Sequence, residues 1–244
     1  MRYMGGKMRQ GKKIAEVVKK VLGPDQPYVE PFCGALGVAT NLGREGLLLS
    51  DVSRALIRMW QDAWDGKIEY PAYVSYEEWV AVRAKQDPED WRTAFYGFGC
   101  AFSGRFYGAY ARDDVPGNTP RQARDSIKKK LAKLKAPVFR SGSYSEIDIP
   151  PKSFIYCDPP YQGRIKVHDF DTFDYDHFWQ WCRNKVAEGH IVVATEFVVP
   201  KDFVVLHDFG DTIAIAAYSK ARHSTGTTEV LVCHESQAHL WGIE

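Results

Sequence analysis

Four consecutive residues, Asp158-Pro159-Pro160-Tyr161, combine a carboxylate, two rigid backbone positions and an aromatic ring. The apolar run before them, residues 153–157, has the pattern of a buried strand. Neither proline can donate a ladder hydrogen bond, so the strand ends there and Asp158 falls at its carboxyl end, where open α/β sheets bind ligands. A carboxylate, a free carbonyl and an aromatic ring suit the binding of a flat nitrogen base by its amino group. The alternative is a plain strand end, because Asp-Pro-Pro also begins turns.

A second group of candidate residues comes earlier in the chain. Tyr28-Val29 is predicted as a short strand that leads into a glycine-containing turn over residues 30–37. Leu47-Leu48-Leu49 is the next predicted strand, and it ends at Asp51, 14 residues after the turn. A glycine turn followed by a strand-final acid is typical of a βαβ nucleotide site, where the acid accepts two ribose hydroxyls. The alternative for Asp51 is the N-cap of the next helix.

The chain between residues 66 and 137 has a different character. From Ser103 to Arg112, aromatic residues, glycines and arginines alternate, and residues 121–140 then carry eight basic side chains against one acid, Asp125. A charge run is usually a solvated helix face, but beside aromatic and arginine residues it is typical of a nucleic-acid contact surface. The predicted DNA contacts are Arg105, Tyr107, Tyr110, Arg112, Arg121, Arg124 and Lys128, with Lys220 and Arg222 in a later basic turn.

The composition limits the functional classes. With 244 residues, a net charge of +1, 45% hydrophobic and 26% charged residues, the chain is globular, and any nucleic-acid surface must be local. The five cysteines are scattered without a Cys-x-x-Cys pair, which argues against a zinc site or disulfide framework and indicates a reducing compartment. The chain shows no signal peptide and no uncharged 18-residue apolar stretch, so we expect a soluble, cytoplasmic protein.

The elements that position these residues are those of an α/β fold. Helices are predicted over residues 14–22, from near Val38, over 54–64, after the capping box at Ser75, over 90–102, and from a cap at Asp176 to about Glu188. Further strands are predicted at 138–140, 153–157, 191–194, 203–206, 213–217 and 230–233. Short turns between the later strands indicate a sheet with an antiparallel edge.

Together the motifs resemble the Dam-like, D12-class DNA adenine-N6 methyltransferases of the alpha group. In that group the cofactor motifs precede the target-recognition region and the catalytic tetrapeptide follows it. Residues 2–7, Arg-Tyr-Met-Gly-Gly-Lys, are similar to the family's Lys-Trp-x-Gly-Gly-Lys. Residues 30–37 are similar to its Glu-Pro-Phe-x-Gly-x-Gly turn, although Leu36 occupies the second glycine position. Ser143-Tyr144 resembles the segment along the cofactor adenine, and Asp158-Pro159-Pro160-Tyr161 is similar to the catalytic motif.

The resemblance covers roughly residues 1–60 and 138–233. It implies a Rossmann-like class I methyltransferase sheet, mostly parallel with an antiparallel edge strand, formed by residues 1–65 and 138–244. Residues 66–137 would be a small, mainly helical target-recognition insertion. The implied methyl donor is S-adenosylmethionine, which leaves as S-adenosylhomocysteine, with no metal. The implied partner is double-stranded DNA, bound by a monomer in a bacterial or phage-infected cell.

The resemblance also implies roles for single residues. The catalytic residues are Asp158, Pro159, Pro160 and Tyr161. The cofactor ligands are Tyr3, Lys7, Glu30, Pro31, Phe32, Gly34, Gly37, Asp51, Tyr144 and Asp158. Lys7 has an alternative role as a phosphate contact, since its neighbours are basic.

Two other functions compete with adenine methylation. Cytosine-N4 methylation uses the same amino-group chemistry, most often with serine in place of Asp158. A catalytically silent DNA-binding relative is the other, and the intact tetrapeptide and Asp51 speak against it. The adenine role also makes a structural demand: in a complex, Asp158 must face the methyl donor and must not be consumed by a buried ion pair.

Overall fold

The computed structural model describes residues 1, 3–113, 115–162, 173–210 and 228–243. Within them, seven strands form one sheet in the order β3-β2-β1-β4-β5-β7-β6. The strands are β1 (Tyr28–Glu30), β2 (Leu47–Asp51), β3 (Val138–Ser141), β4 (Phe154–Cys157), β5 (Ile191–Glu196), β6 (Phe203–Asp208) and β7 (Val230–His234). The strand predicted at 213–217 lies outside the described residues.

The sheet is parallel from β3 through β5. β7 runs antiparallel to both of its neighbours, β5 and the edge strand β6. This confirms the predicted Rossmann-like sheet, mostly parallel with antiparallel pairing at one edge. Because β7 runs the other way, it begins at the sheet edge where β1, β2, β4 and β5 end. Residues just before β7 therefore reach a site built at that edge.

The α-helices of the described chain are α1 (Gly11–Lys19), α2 (Arg54–Trp64), α3 (Tyr76–Lys85), α4 (Trp91–Ala94), α5 (Asn118–Leu131) and α6 (Tyr175–Ala187). Ser75 caps α3 as predicted, because its hydroxyl accepts from the Glu78 N–H at 3.1 Å. The predicted cap of α6 is wrong. Asp174 is the last extended residue and accepts from the His177 N–H at 2.8 Å, whereas Asp176 lies in the first turn.

Two predicted helices differ from their sequence patterns. Only a 3₁₀ turn, Ala39–Asn41, follows the glycine turn, since Leu36 has a positive φ and little chain remains before β2. The helix predicted over 90–102 begins as α4, continues as a π-helix and ends at Gly99. A Cβ at Gly97 would lie 2.4 Å from the Phe106 ring. The missing side chain at Gly97 therefore admits an aromatic ring that an ordinary helix would exclude.

The two faces of the sheet bury separate hydrophobic cores. One core contains Trp60 of α2 together with Trp79 and Phe95 from the middle of the chain. The other contains Phe178 of α6. Residues 66–137 thus share a continuous core with the N-terminal helices, so the exposed side chains of this region stand on a packed support.

The cysteine side chains pack as small apolar groups. All five are buried free thiols, the environment that a structural rather than reactive cysteine has. None of the described helices combines the length and apolar character needed to cross a bilayer.

Candidate active site

Asp158 lies one residue beyond β4, at the carboxyl edge of the sheet. β4 is buried along its whole length and runs between β1 and β5, so Asp158 stands in the middle of the parallel region. Pro159 is buried and Pro160 is exposed, so the chain turns toward solvent directly after the carboxylate. The carboxylate therefore stands at a strand end, where the apolar run and the two prolines predicted it.

Three donors surround one oxygen of the Asp158 carboxylate. Oδ1 accepts from Lys7 Nζ at 2.6 Å, from the Tyr161 hydroxyl at 2.9 Å and from the Thr195 hydroxyl at 3.0 Å. No donor from the described part of the chain bonds the other oxygen, Oδ2. Burial raises the pKa of this carboxyl, the Lys7 ammonium opposes the rise, and the Glu229 charge adds to it. The carboxylate thus has one engaged oxygen and one open oxygen.

The ion pair between Lys7 and Asp158 bears directly on the predicted role. Lys7 is 5% exposed and Asp158 is 16% exposed, so the pair is largely withdrawn from water. An aspartate consumed by such a pair would have no acceptor left for an amino group. Here the lysine engages Oδ1 alone, which leaves Oδ2 for a substrate. Asp158 can therefore still bind an amino group through Oδ2, although Lys7 contacts the other oxygen of the same carboxylate.

A second buried carboxylate, Glu229, shares two of the donors that reach Asp158. Its Oε1 lies 3.4 Å from Lys7 Nζ and 2.9 Å from the Tyr161 hydroxyl, and its Oε2 accepts from Gln10 Nε2 at 3.0 Å. Sequence reasoning missed this residue. Its place follows from the direction of β7, since an antiparallel strand in this sheet begins beside the carboxyl ends of the parallel ones.

The Tyr161 ring is held on two sides. Lys7 Nζ lies 4.5 Å from the ring centroid, and the Phe197 ring meets it edge-on at 5.0 Å. Its hydroxyl carries a single proton, so it donates to only one of its two carboxylate neighbours at a time. Glu196, at the end of β5, accepts from the N–H of Gln162 at 2.7 Å and fixes the backbone directly after this tyrosine.

The turn between β1 and β2 packs tightly against the N-terminal segment. A Cβ at Gly37 would lie 2.9 Å from the Lys7 backbone carbon, and one at Gly34 would lie 3.3 Å from the Tyr3 ring. These glycines therefore let residues 3–7 approach the turn. Leu36, at the family's second glycine position, is buried with a φ of 60°. That conformation costs a non-glycine residue about 1–2 kcal/mol, which the packing around Leu36 must offset.

Asp51, the last residue of β2, joins the turn to the start of α2. Its Oδ2 accepts from the Gly34 N–H at 3.0 Å and its Oδ1 from the Ser53 N–H at 2.9 Å. Ser53, rather than Asp51, is the N-cap residue of α2. Burial raises the pKa of Asp51 to about 6, against the two backbone N–H groups that lower it. Each oxygen keeps a lone pair, so the carboxylate can still accept from a ligand hydroxyl.

Glu30 ends β1 beside this cluster. The Tyr28 hydroxyl donates to its Oε2 at 3.1 Å, and burial raises the pKa of Glu30 to about 8, so the side chain is mainly neutral at pH 7. The charged groups that touch one another are then two carboxylates, Asp158 and Glu229, and one ammonium, Lys7. Their sum is negative, which favours a cationic ligand. Among the described residues, no three His, Cys, Asp or Glu side chains form a group suited to a metal ion.

Tyr144 belongs to an aromatic cluster that includes Phe32 of the glycine turn. The two rings are stacked with centroids 5.3 Å apart. The Tyr144 hydroxyl pairs with His177 Nδ1 at 2.7 Å, and Trp181 meets the ring edge-on at 5.2 Å. The residue predicted to lie along the cofactor adenine is therefore connected to the turn through Phe32.

The residues predicted to contact DNA differ in exposure. Exposed side chains are those of Arg105, Arg112, Arg121 and Lys128, and half-buried ones are those of Arg124 and Tyr110. The prediction that Tyr107 contacts DNA must be corrected, because Tyr107 is 5% exposed and its ring packs edge-on against Trp79 at 5.1 Å. It is a core residue, and its ring occupies space left by the missing side chain of Gly97, where a Cβ would lie 2.9 Å from Tyr107 Cε2. Lys220 and Arg222 lie outside the described residues.

Lys130 is not part of the exposed basic surface of α5. It is 4% exposed, on the same buried face as Ile127. Its Nζ donates to the Ala35 carbonyl at 2.6 Å, and the Trp60 indole N–H donates to the Gly34 carbonyl at 3.0 Å. Burial lowers the pKa of Lys130 to about 8. Side chains of α5 and α2 thus hold two consecutive carbonyls of the turn, a role that the charge run concealed.

A family comparison matches the first third of the chain. Residues 3–81 match the family model described as D12 class N6 adenine-specific DNA methyltransferase. That stretch contains Lys7, the glycine turn and Asp51, whereas Asp158 lies beyond it. No curated protein matched the sequence.

Solved structures were compared as well. Two structures of the rRNA methyltransferase aviRa from Streptomyces viridochromogenes are similar over most of both chains, each at 12% identity and a TM-score of 0.36. One alignment covers 92% of this chain and 85% of the other, and the second covers 95% and 87%. The fold assignment rests on the strand order of the sheet.

The family match falls on three of the motifs that carried the resemblance, and the sheet has the predicted methyltransferase topology. The match over residues 3–81 confirms the likeness to the D12 class and supports an adenine-specific DNA methyltransferase.

Proposed function

We propose that this chain transfers a methyl group from S-adenosylmethionine to N6 of an adenine that has left a DNA duplex. One observation carries the proposal: the Asp158 carboxylate stands at the sheet edge with three donors around Oδ1, and no donor from the described residues bonds Oδ2. A carboxylate that is already oriented accepts an amino hydrogen without further ordering of its side chain.

The residues around the turn suit such a methyl donor. We assign cofactor contacts to Tyr3, Lys7, Glu30, Pro31, Phe32, Gly34, Gly37, Asp51, Tyr144 and Asp158. The net negative charge of the cluster supports this assignment, because the donor is a cation at its sulfonium centre. When bound, S-adenosylmethionine supplies an electrophilic methyl group and leaves as S-adenosylhomocysteine.

The chain's own contribution is to prepare the nucleophile. An exocyclic amino nitrogen is a poor nucleophile because its lone pair is delocalised into the ring. Asp158 Oδ2 and the Pro159 carbonyl would accept its two N–H bonds and favour a pyramidal nitrogen with a localised lone pair. Positive charge grows on that nitrogen as the methyl group is transferred, so the carboxylate binds the transition state more strongly than the ground state.

The adenine must leave the base stack before these groups can reach it. Stacking on Tyr161 would offset part of that cost, at about 1–3 kcal/mol. We further propose that residues 66–137 form the target-recognition region of a catalytic domain built from residues 1–65 and 138–244. The exposed Arg121 and Lys128 of α5 support this, since phosphate contacts need exposed cations. A DNA substrate also favours the cytoplasm of a bacterial or phage-infected cell as the site of action.

One assay separates the proposal from its rivals. Purified protein is incubated with methyl-labelled S-adenosylmethionine and unmethylated double-stranded DNA, and the DNA is digested to nucleosides. The proposal expects label in N6-methyladenine. Label in N4-methylcytosine would assign the activity to cytosine, and no label despite DNA binding would indicate a catalytically silent relative.

A further inference from the structure

We infer that Glu229 is a positioning residue that takes over Lys7 and the Tyr161 hydroxyl from Asp158 when Asp158 binds the substrate amino group. This inference rests on the proposed function and adds a residue that the catalytic motif does not contain. Without such an acceptor, the Lys7 ammonium at Oδ1 would neutralise part of the charge of the carboxylate whose Oδ2 binds the amino group.

The geometry gives both donors an alternative partner. Lys7 Nζ lies 2.6 Å from Asp158 Oδ1 and 3.4 Å from Glu229 Oε1, so a small movement exchanges its closer partner. The Tyr161 hydroxyl is 2.9 Å from each of the same two oxygens. Since the hydroxyl has one proton, its bond to Asp158 and its bond to Glu229 are exclusive alternatives.

Glu229 is itself held firmly enough to act as that partner. It is buried, and its Oε2 accepts from Gln10 Nε2 at 3.0 Å, which turns Oε1 toward Lys7 and Tyr161. Its backbone carbonyl accepts from the Phe209 N–H at 3.0 Å and so fixes the residue at the start of the β6–β7 pair. The shared donors, rather than Glu229, are therefore the groups that move.

The charge balance explains why a carboxylate is needed there. If Lys7 left Asp158 with no second acid nearby, a buried ammonium would lose its ion-pair partner, which is strongly unfavourable. With Glu229 present, the ammonium stays paired throughout. Asp158 then meets the positive charge that grows on the substrate nitrogen without competition from Lys7.

The test uses Glu229→Gln, which keeps the shape of the side chain and removes its charge. The control is Glu235→Gln, an exposed acid just beyond the other end of β7. We expect Glu229→Gln to lower kcat by about 10- to 100-fold, the scale of one misplaced catalytic hydrogen bond, with cofactor and DNA Kd values within about threefold of wild type. Glu229→Asp, which keeps the charge, should recover most of the loss.

A pH profile separates this role from a merely structural one. The charged and titratable groups that act on Asp158 include Lys7, Tyr161, Glu229, Tyr156, Glu30, Glu196 and Asp51. The Glu229 charge raises the pKa of Asp158, so its removal should move the acid limb of kcat/KM to lower pH. An unchanged kcat, or a lower kcat with an unmoved acid limb, would overturn the inference.

A structure of the wild-type protein with S-adenosylhomocysteine and target DNA gives a second test that needs no variant. The inference expects Lys7 Nζ closer to Glu229 Oε1 than to Asp158 Oδ1, and the reverse order would contradict it. Failure of the proposed function is distinct, because then the wild type itself would form no N6-methyladenine. A wild type that forms N6-methyladenine while Glu229→Gln matches its rate would remove only the inference.

Discussion

Charged side chains are buried and paired at the carboxyl edge of the sheet, whereas on helix α5 several of them are exposed. At the sheet edge, Lys7, Asp158 and Glu229 are buried or nearly so and contact one another. On α5, Arg121 and Lys128 are exposed and make few contacts within the chain. Buried, hydrogen-bonded charges are costly to disturb, whereas exposed charges act mainly on distant partners and are screened by salt. The buried charges at the sheet edge are thus suited to catalysis, and the exposed charges of α5 are suited to contact with a charged partner such as DNA.

Lys130 belongs to both regions. It lies on α5 in the middle of the basic run, yet its ammonium bonds the Ala35 carbonyl beneath the glycine turn. Membership of the basic run therefore does not decide whether a charged side chain is buried or exposed. The helix face decides it, because Lys130 lies on the buried face of α5, whereas Lys128 and Lys129 are exposed.

The largest effect outside the catalytic carboxylate is expected at Asp51. Asp51→Ala removes a charged acceptor, and lost hydrogen bonds of about 1.5–3 kcal/mol each should raise the cofactor Kd by about 10²-fold. The DNA Kd should change little. Titrations with S-adenosylhomocysteine and with DNA measure both constants, and Asp25→Ala, an exposed acid, is the control. A weakened DNA Kd with an unaltered cofactor Kd would contradict the assignment.

A smaller effect, in the same direction, is expected at Lys130. Lys130→Met keeps the unbranched side chain as far as the ε position and removes its bond to Ala35, worth about 1 kcal/mol, so the cofactor Kd should rise by roughly five- to tenfold. Lys129→Met, the exposed neighbour, should leave it unchanged. Equal behaviour of the two variants would show that Lys130 does not hold the turn.

The buried ammonium of Lys130 also predicts how the free energy of unfolding depends on pH. Its pKa of about 8 in the folded chain lies below the ordinary value of 10.5. The unfolded chain therefore binds more protons than the folded chain between those values, and this lysine's contribution to stability is lost as pH falls through 8. The unfolding free energy of the wild type, measured against Lys130→Met, should rise from pH 8 to 10.5. A difference that does not vary with pH would contradict the buried position of the ammonium.

The smallest effects are expected on the exposed face of α5. Lys128→Gln should weaken DNA binding by a few-fold and reduce the slope of log K against log salt by about 0.9, the value for one phosphate contact. Lys152→Gln removes an equally exposed charge at the opposite sheet edge, before β4, and should change neither. Equal salt slopes for both variants and the wild type would remove Lys128 from the DNA surface.

The sequence predicted those parts of the site that follow from strand ends. Asp51 and Asp158 terminate apolar runs, and parallel strands bring such ends to one edge. Glu229 was not identified as a site residue, because its place depends on the direction of β7, and no local pattern reveals how a late strand is oriented. Thr195, on β5, donates to Asp158 Oδ1 and was also missed, because the apolar run before it gave no reason to single out one hydroxyl.

The middle of the chain was harder to predict for a different reason. Glycines at positions 97 and 99 admit side chains that an ordinary helix excludes, so the α-helical pattern breaks there. Tyr107 is therefore buried in a segment whose composition suggested a surface. Lys130 could have been found, since it continues the spacing of Ile127 and Leu131 along one helix face.

The central claim is that Asp158 accepts the amino hydrogen of the adenine. Its most direct test is the single-turnover rate of methylation by Asp158→Ala, with cofactor and DNA both bound at saturation. The account predicts a rate lower than wild type by about 10²-fold or more, the scale of one lost transition-state contact. A near-normal rate would contradict the claim, because methyl transfer would then proceed without the carboxylate.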